Sequence, residues 1–346
     1  MPMPFLVDWV VNYSMKNIII VGTGKAAYLH YLKYKKLGYK SIFFLDNKIT
    51  DTYIDSTNIY YDIDDVFKNV IDLQETVVDI CTPCSVFIDV IDKFIKKGVV
   101  NFIVEKPFVV PGNYFDDKKN INFIMMENYR YSLITMDIKK ILNDLKLDIK
   151  SMRIEFSKDR IKDSFSKRGI SNFDIPTCFE IEMPHEIYMA DYFISKGRKQ
   201  YKTIELGNME FNGKVLPNHG YGLIEYIRDG VDITLVSDLT RGPNVRTVEI
   251  KFDGGKLVAH YLNYDELFNR ESIGTLEIIV GSVIHKIEYN VDDNIYYSLK
   301  NYLNDLDSGL HKEEYKKEIL NFSNSLSYVI KNEGLRKSEK WTKKIN

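Results

Sequence analysis

Three cysteines, two tryptophans and nine prolines in 346 residues leave little for disulfide, indole or polyproline architecture. An odd cysteine count with no framework spacing (Cys81, Cys84, Cys178) argues for a reducing, cytoplasmic setting. Cys81 and Cys84 form a C-x-x-C without a second pair to complete a zinc site, so structural thiols are the expectation and no metal is assigned. Excess charge of one sign is also lacking. Against 47 basic residues stand 49 acidic ones, a net charge of −2 that gives no electrostatic reason to expect nucleic acid or an acidic membrane as partner. No apolar run approaches the roughly 18 residues of a membrane span. The opening stretch 1–14 holds the patch Phe5–Val11 but neither a basic n-region nor a long h-region, so it reads as an appended arm rather than a signal peptide.

What is present is ordinary globular composition, 45% apolar and 28% charged, in a length that suits two domains. The first third alternates strands with helices: Asn17–Val21, then a helix over Ala26–Leu37, a strand Ser41–Leu45, a buried strand Val77–Cys81, and a helix whose Phe87, Ile91 and Ile95 share one face. The apolar run Asn101–Val104 follows. Strands separated by helices of about a dozen residues predict βαβ units and a parallel sheet. After about residue 150 the pattern becomes period two, as in Met152, Ile154 and Phe156. Three glycine turns (Asp229-Gly230, Asp253-Gly254-Gly255 and Gly281-Ser282) then separate alternating runs and predict hairpins. Helices return over Asp293–Leu306 and Glu313–Ile330. The expected plan is an arm at 1–14, a dinucleotide-binding α/β domain at 15–130, an α+β domain with a mostly antiparallel open sheet at 131–330, and a tail at 331–346.

Gly22-Thr23-Gly24-Lys25-Ala26-Ala27 lies between a strand and a helix. Gly22 would permit a tight turn, Gly24 would let backbone approach a pyrophosphate, and Ala27 would let helix pack on strand. Asp46, 19 residues past Ala27, could accept the adenine-ribose hydroxyls of NAD(H) and would repel a 2′-phosphate. Nearby Lys48 leaves NADP(H) possible. Lys106, at the carboxyl end of a later strand, would stand where ligands of open α/β sheets sit. Moving its pKa from about 10.4 to around 7–8 would take roughly 3–5 kcal/mol, which desolvation and a positive nicotinamide could supply. A solvated Glu105-Lys106 pair and an ordinary βα turn are the bland alternatives.

Taken together, GTGKAA with Asp46, then Asp79-Ile80-Cys81-Thr82-Pro83, Glu105-Lys106-Pro107 and Asn128-Tyr129-Arg130-Tyr131 resemble the Gfo/Idh/MocA oxidoreductases over residues 16–132. Glu180-Ile181-Glu182-Met183-Pro184-His185 adds one motif further on. The resemblance implies a Rossmann domain joined to an α+β domain, a nicotinamide cofactor, and a sugar, cyclitol or related polyol as substrate. It also implies a homodimer or homotetramer built on the open sheet. Lys106 would be the acid/base group and His185 the histidine facing substrate. Thr82, Pro83, Glu105, Asn128 and Arg130 would line the cofactor beside the glycine turn. Two departures stand out. Many members carry an aspartate four residues before the histidine, where this chain has Ile181, so Glu182 could orient His185 instead. Many also have a histidine shortly after Thr-Pro, where this chain has Phe87. An imine or conjugated-system reductase and a non-catalytic cofactor-binding sensor therefore stay open as alternatives. The basic stretch Lys158, Arg160, Lys162, Lys167 and Arg168 reads as a solvated loop or as a border for an anionic substrate. The other histidines (His30, His219, His260, His285, His311) receive no chemistry.

Overall fold

The computed structural model describes residues 15, 17–47, 58–70, 72–161, 177–211, 213–262, 264–265, 270–271 and 273–332. The arm at 1–14, Lys48, Lys162, Lys167, Arg168 and nearly all of the tail lie outside these.

The described chain divides into two compact units. One holds the residues up to Glu105 together with Tyr114–Met125 and Leu299–Lys316; the other holds Lys106–Asn113, Met126–Ser298 and the residues from Lys317. The sequence had suggested a single crossing near residue 130, whereas the units interleave. Long helices near the end of the chain divide between them, a pattern that local periodicity does not carry.

The first unit begins with β1 (Asn17–Val21), α1 (Lys25–Lys36), β2 (Ser41–Leu45), β3 (Ile59–Tyr60), α2 (Ile63–Phe67), β4 (Thr76–Ile80), α3 (Phe87–Lys96), β5 (Asn101–Val104) and β6 (Asn122–Met125). Its six strands lie in the order β3-β2-β1-β4-β5-β6, each neighbouring pair parallel. Every residue of β1, β4 and β5 is buried, because a parallel sheet covered on both faces has no solvent side to alternate with. The order reverses between β1 and β4, and such a switch point opens a crevice at the carboxyl ends of the strands.

The second unit holds α4 (Leu133–Leu145), β7 (Ile149–Asp159), α5 (Cys178–Ile181), α6 (Met183–Phe193), β8 (Gln200–Phe211), β9 (Lys214–Arg228), β10 (Val231–Asp238), β11 (Thr240–Phe252) and β12 (Gly255–His260). The short β13 (Tyr264–Asp265) and β14 (Arg270–Glu271) follow, then β15 (Gly274–Val280) and β16 (Val283–Tyr289). The helices α7 (Asn294–Ser308) and α8 (Lys312–Lys331) close the described chain. Eight strands form one sheet in the order β16-β15-β12-β11-β7-β10-β9-β8. All three glycine-turn hairpins are present as β9–β10, β11–β12 and β15–β16. The sheet is mostly antiparallel, with β7 and β10 its parallel pair. Gly222 on β9 explains how α5 and α6 lie close to this sheet: a Cβ there would meet Cys178 Sγ at 2.5 Å and Met183 Sδ at 2.7 Å.

Candidate functional site

In the first unit, the glycine turn leaves β1 and opens α1 at the switch point. Gly22 has φ +109°, and a Cβ on it would lie 2.9 Å from the Cys81 carbonyl oxygen, so backbone conformation and space both demand glycine there. A Cβ on Gly24 would meet nothing within 4 Å, so the turn is open on the side where backbone would face a phosphate. Gly24 caps α1 without a side-chain hydrogen bond, and the first turn holds no acidic residue. The amide groups and the dipole at this end favour an anion. Lys25 is exposed, Ala26 half-buried, and Ala27 buried where α1 meets the sheet. Thr23 donates from its amide and its hydroxyl to one Asp46 oxygen, both at 2.8 Å, which fixes that carboxylate beside the turn. Pro83 is exposed after β4, and the Thr82 hydroxyl oxygen is buried without a hydrogen-bond partner. An open glycine cradle, a carboxylate at the end of β2 and an orphaned hydroxyl at the end of β4 fit a dinucleotide lying across the strand ends.

Beneath these lies a cluster that the sequence reading passed over. The fully buried His30 ring meets Asp79 Oδ2 through Nδ1 at 2.8 Å and Glu105 Oε1 through Nε2 at 3.1 Å. The Tyr34 hydroxyl donates to the same Asp79 oxygen at 2.9 Å. Burial alone would lower the imidazole pKa, but Asp79 and Cys81 outweigh it and hold it well above the usual value. His30 is therefore an imidazolium pinned between carboxylates. Ligand atoms of His30, Asp79 and Cys81 lie within 4.8 Å of one another. Their separations of 2.8 and 3.5 Å are met by hydrogen bonds, and burial pushes the Cys81 thiol pKa up. The spacing of Ala27, His30 and Tyr34 along one helix face was the available signal: polar residues sharing a buried stripe need partners.

The second unit opens with Lys106, whose peptide to Pro107 is cis. Its ammonium donates to the Ile181 carbonyl at the end of α5, at 2.5 Å. Thr177 and Glu180 form a capping box on α5, so Glu180 has a structural task. Pro184 occupies the first turn of α6, where its missing N–H costs nothing, and His185 follows. Glu182 is buried at the junction of the two helices and pairs with Lys158 at 2.5 Å. Burial would raise its carboxyl pKa, but the cations of Lys158, Arg246 and Lys106 hold it well below the carboxylate range.

His185 is oriented by Tyr188 rather than by Glu182. The Tyr188 hydroxyl donates to Asn128 Oδ1 at 3.1 Å and accepts the Tyr129 amide at 3.0 Å. Its remaining lone pair faces His185 Nδ1 at 3.1 Å. A hydroxyl has one proton and two lone pairs, so this third contact requires the proton to sit on Nδ1. Nε2 then carries a bare lone pair and has no hydrogen-bond partner among the described residues. Burial, followed by Lys106 and Arg246, lowers the imidazole pKa well below its usual value, and the ring is neutral. Tyr188 stands three residues after His185, the spacing at which helical side chains meet; that was the overlooked signal. Asn128 belongs to this network as a buttress. Arg130 donates to Glu127 at 3.1 Å and Glu318 at 2.6 Å and lies over the Tyr192 ring. Its guanidinium is committed to these two carboxylates, of which Glu127 is pushed up to about 7 by burial.

No family model matches the sequence, and no curated protein matches it. Solved structures do. A dehydrogenase (MviM) from Clostridium difficile is 15% identical with a TM-score of 0.68, covering 93% of this chain and 100% of its own. A 3-ketoreductase from Actinomadura kijaniata, solved with NADP and TDP-benzene, is 13% identical with a TM-score of 0.71, covering 91% and 97%. The UDP-N-acetylglucosamine 3-dehydrogenase from Acidithiobacillus ferrooxidans is 13% identical with a TM-score of 0.65, covering 90% and 97%. The chain thus shares the fold of these structures: a parallel sheet of Rossmann type and a mostly antiparallel sheet, the architecture expected from the sequence. No helix among the described residues is long and apolar enough to cross a membrane.

Proposed function

We propose that the protein is an NAD(P)-dependent oxidoreductase that moves hydride between nicotinamide and a hydroxyl/ketone carbon of a sugar- or cyclitol-like substrate. One observation carries the reading: Lys106 and His185 lie on one unit within electrostatic reach of each other, the first a cation and the second a neutral imidazole with bare Nε2. The nicotinamide, when bound, supplies or accepts the hydride. In the reducing direction the substrate oxygen gains negative charge and takes a proton from the Lys106 ammonium. In the oxidising direction the same step runs backwards: the hydroxyl proton passes to the Lys106 amine in its neutral form, while His185 Nε2 accepts a hydrogen bond that orients the hydroxyl. Neighbouring structures that are a 3-ketoreductase and a sugar-nucleotide 3-dehydrogenase support this direction of reading.

The dinucleotide would rest its phosphates on Gly22, Thr23, Gly24, Lys25, Ala26 and Ala27 and its adenine ribose on Asp46. Thr82, Pro83 and Glu105 would line the nicotinamide half. A carboxylate at Asp46 favours NAD(H) over NADP(H) through like-charge repulsion of a 2′-phosphate. Titration with NADH and NADPH, then a substrate screen run in both directions with the cofactor that binds, tests the reading. Lys106→Ala should bind cofactor normally and lose turnover by about 10²–10⁴-fold. Full turnover in that variant would exclude the proton role, and failure to bind either dinucleotide would remove the oxidoreductase itself.

A further inference from the structure

We infer that Thr23 is a positioning residue for cofactor selectivity: by holding the Asp46 carboxylate in one orientation, its hydroxyl widens the preference for NADH over NADPH. The inference rests on the oxidoreductase reading and deepens it, since it assigns the choice of dinucleotide to one side chain of the glycine turn. Three restraints converge on the end of β2. The Asp46 amide donates to the Tyr60 carbonyl at 3.1 Å, which ties its backbone to β3. The Gly22 amide donates to the Leu45 carbonyl at 2.8 Å, which ties the preceding residue to the turn. Thr23 then reaches the Asp46 side chain itself, donating from its amide and its hydroxyl to Oδ2, both at 2.8 Å. Gly22, with φ +109°, bends the chain so that both donors of the next residue meet that oxygen. Thr23 is fully buried, whereas Asp46 is half-buried. The donor is fixed by its surroundings, and the acceptor lies where a ligand can approach.

An aspartate held only by its backbone relieves repulsion with an incoming anion by turning to another staggered rotamer, at little cost. At Asp46 that turn would break two charge-assisted hydrogen bonds, which are stronger than neutral ones. It would also deprive a buried amide and a buried hydroxyl of this acceptor, which is unfavourable in itself. A 2′-phosphate carries a charge of about −1.5 to −2 and would meet a carboxylate that stays in place. A 2′-hydroxyl would meet the same carboxylate already oriented to accept it, so less side-chain freedom is lost on binding. The restraint therefore acts on the two dinucleotides with opposite sign. The Asp46 charge supplies the direction of the preference, and the Thr23 hydroxyl supplies part of its size.

The test measures equilibrium binding of NADH and NADPH to the full chain by calorimetry, with no substrate present. The wild type should bind NADH about 30-fold or more tighter than NADPH, with the gap narrowing as salt is added. Thr23→Val and Thr23→Ala both lose the hydroxyl and keep the amide. In each, the ratio of the two Kd values should fall by about tenfold, the worth of one hydrogen bond to a charged group. Thr23→Ser keeps the hydroxyl and should keep the wild-type ratio. The ratio is the decisive readout, because a merely loosened turn weakens both dinucleotides alike. An unchanged ratio in the valine and alanine variants, or equal weakening of both ligands, overturns the inference. So does a serine variant that loses as much selectivity as the alanine one, or a wild type that binds NADPH at least as tightly as NADH. Binding of neither dinucleotide to the wild type would instead sink the oxidoreductase reading.

Discussion

Two histidines of this chain are almost wholly buried and are driven in opposite directions. His30, on α1, lies between Asp79 and Glu105 and keeps its proton. His185, on α6, lies among Lys106, Arg246 and Lys158 and loses it. Burial acts on both with the same sign, disfavouring the charged ring. For His30 the neighbours overrule burial, and the ring becomes a fixed cation that ties α1 to the ends of β4 and β5; for His185 burial is the larger influence and the cations add to it, leaving the ring neutral. The first arrangement belongs to the framework beneath the glycine turn. The second is the one proposed to act at the substrate oxygen.

The contrast breaks most sharply if the two residues are exchanged for asparagine. His185→Asn keeps a polar group near Tyr188 but removes the Nε2 lone pair; kcat should fall by about 10²–10⁴-fold while the urea midpoint moves little. His30→Asn should do the reverse. It strips the positive charge from two carboxylates, of which Asp79 is fully buried, and should cost about 3–5 kcal/mol in urea unfolding. Should the His30 variant prove the inactive, stable one, the division of labour is wrong.

Smaller effects sharpen the comparison. Gly222→Ala forces a methyl group against Cys178 and Met183, which carry α5 and the start of α6; a loss of about 1–3 kcal/mol is expected, read as a lower melting temperature. Tyr188→Phe removes the acceptor that keeps the His185 proton on Nδ1. It should lower kcat about tenfold with little change in cofactor affinity, since of the three hydrogen bonds lost the one to His185 is worth roughly 1 kcal/mol.

The pH dependence of stability should separate the two rings by sign. A histidine whose folded pKa is raised contributes stability that is fully present below its unfolded value near 6.5 and lost as pH rises through the folded value. The His30→Asn deficit should therefore be largest in acid and shrink as pH climbs. For His185 the native state binds fewer protons than the unfolded chain below about pH 6.5, so this residue costs stability as pH falls. His185→Asn should gain on the wild type in that window. Denaturation midpoints measured across the acid-to-neutral range check both, and parallel curves for the two variants would contradict the assigned charges.

Much of the fold was legible because its signals are local. The glycine turns marked three hairpins, and the unbroken apolar runs of β1 and β5 announced strands covered on both faces. Thr76–Ile80 and Phe87–Lys96 differ from the expected spans by only a residue or so at each end. Other elements were hidden. The strand β8 holds Gly207 and Asn208, residues that weaken a strand reading, and it exists because β9 pairs with it along nearly its whole length. Nor could any window reveal the parallel pairing of β7 with β10, which brings together residues some eighty positions apart.

The sequence alone determined the type of chain: a βα turn with glycine where backbone demands it, an acidic residue at the end of the next strand, and a lysine at the end of a later one. Those are short-range facts, set by φ angles and by the period of side chains along a strand or helix. Only the tertiary structure decided which proton sits where. It gave His30 two carboxylates from β4 and the end of β5, and handed His185 to Tyr188 rather than Glu182, which Lys158 had taken. Charge and hydrogen bonding act through space across segments far apart in the chain, and the order of residues does not record those distances.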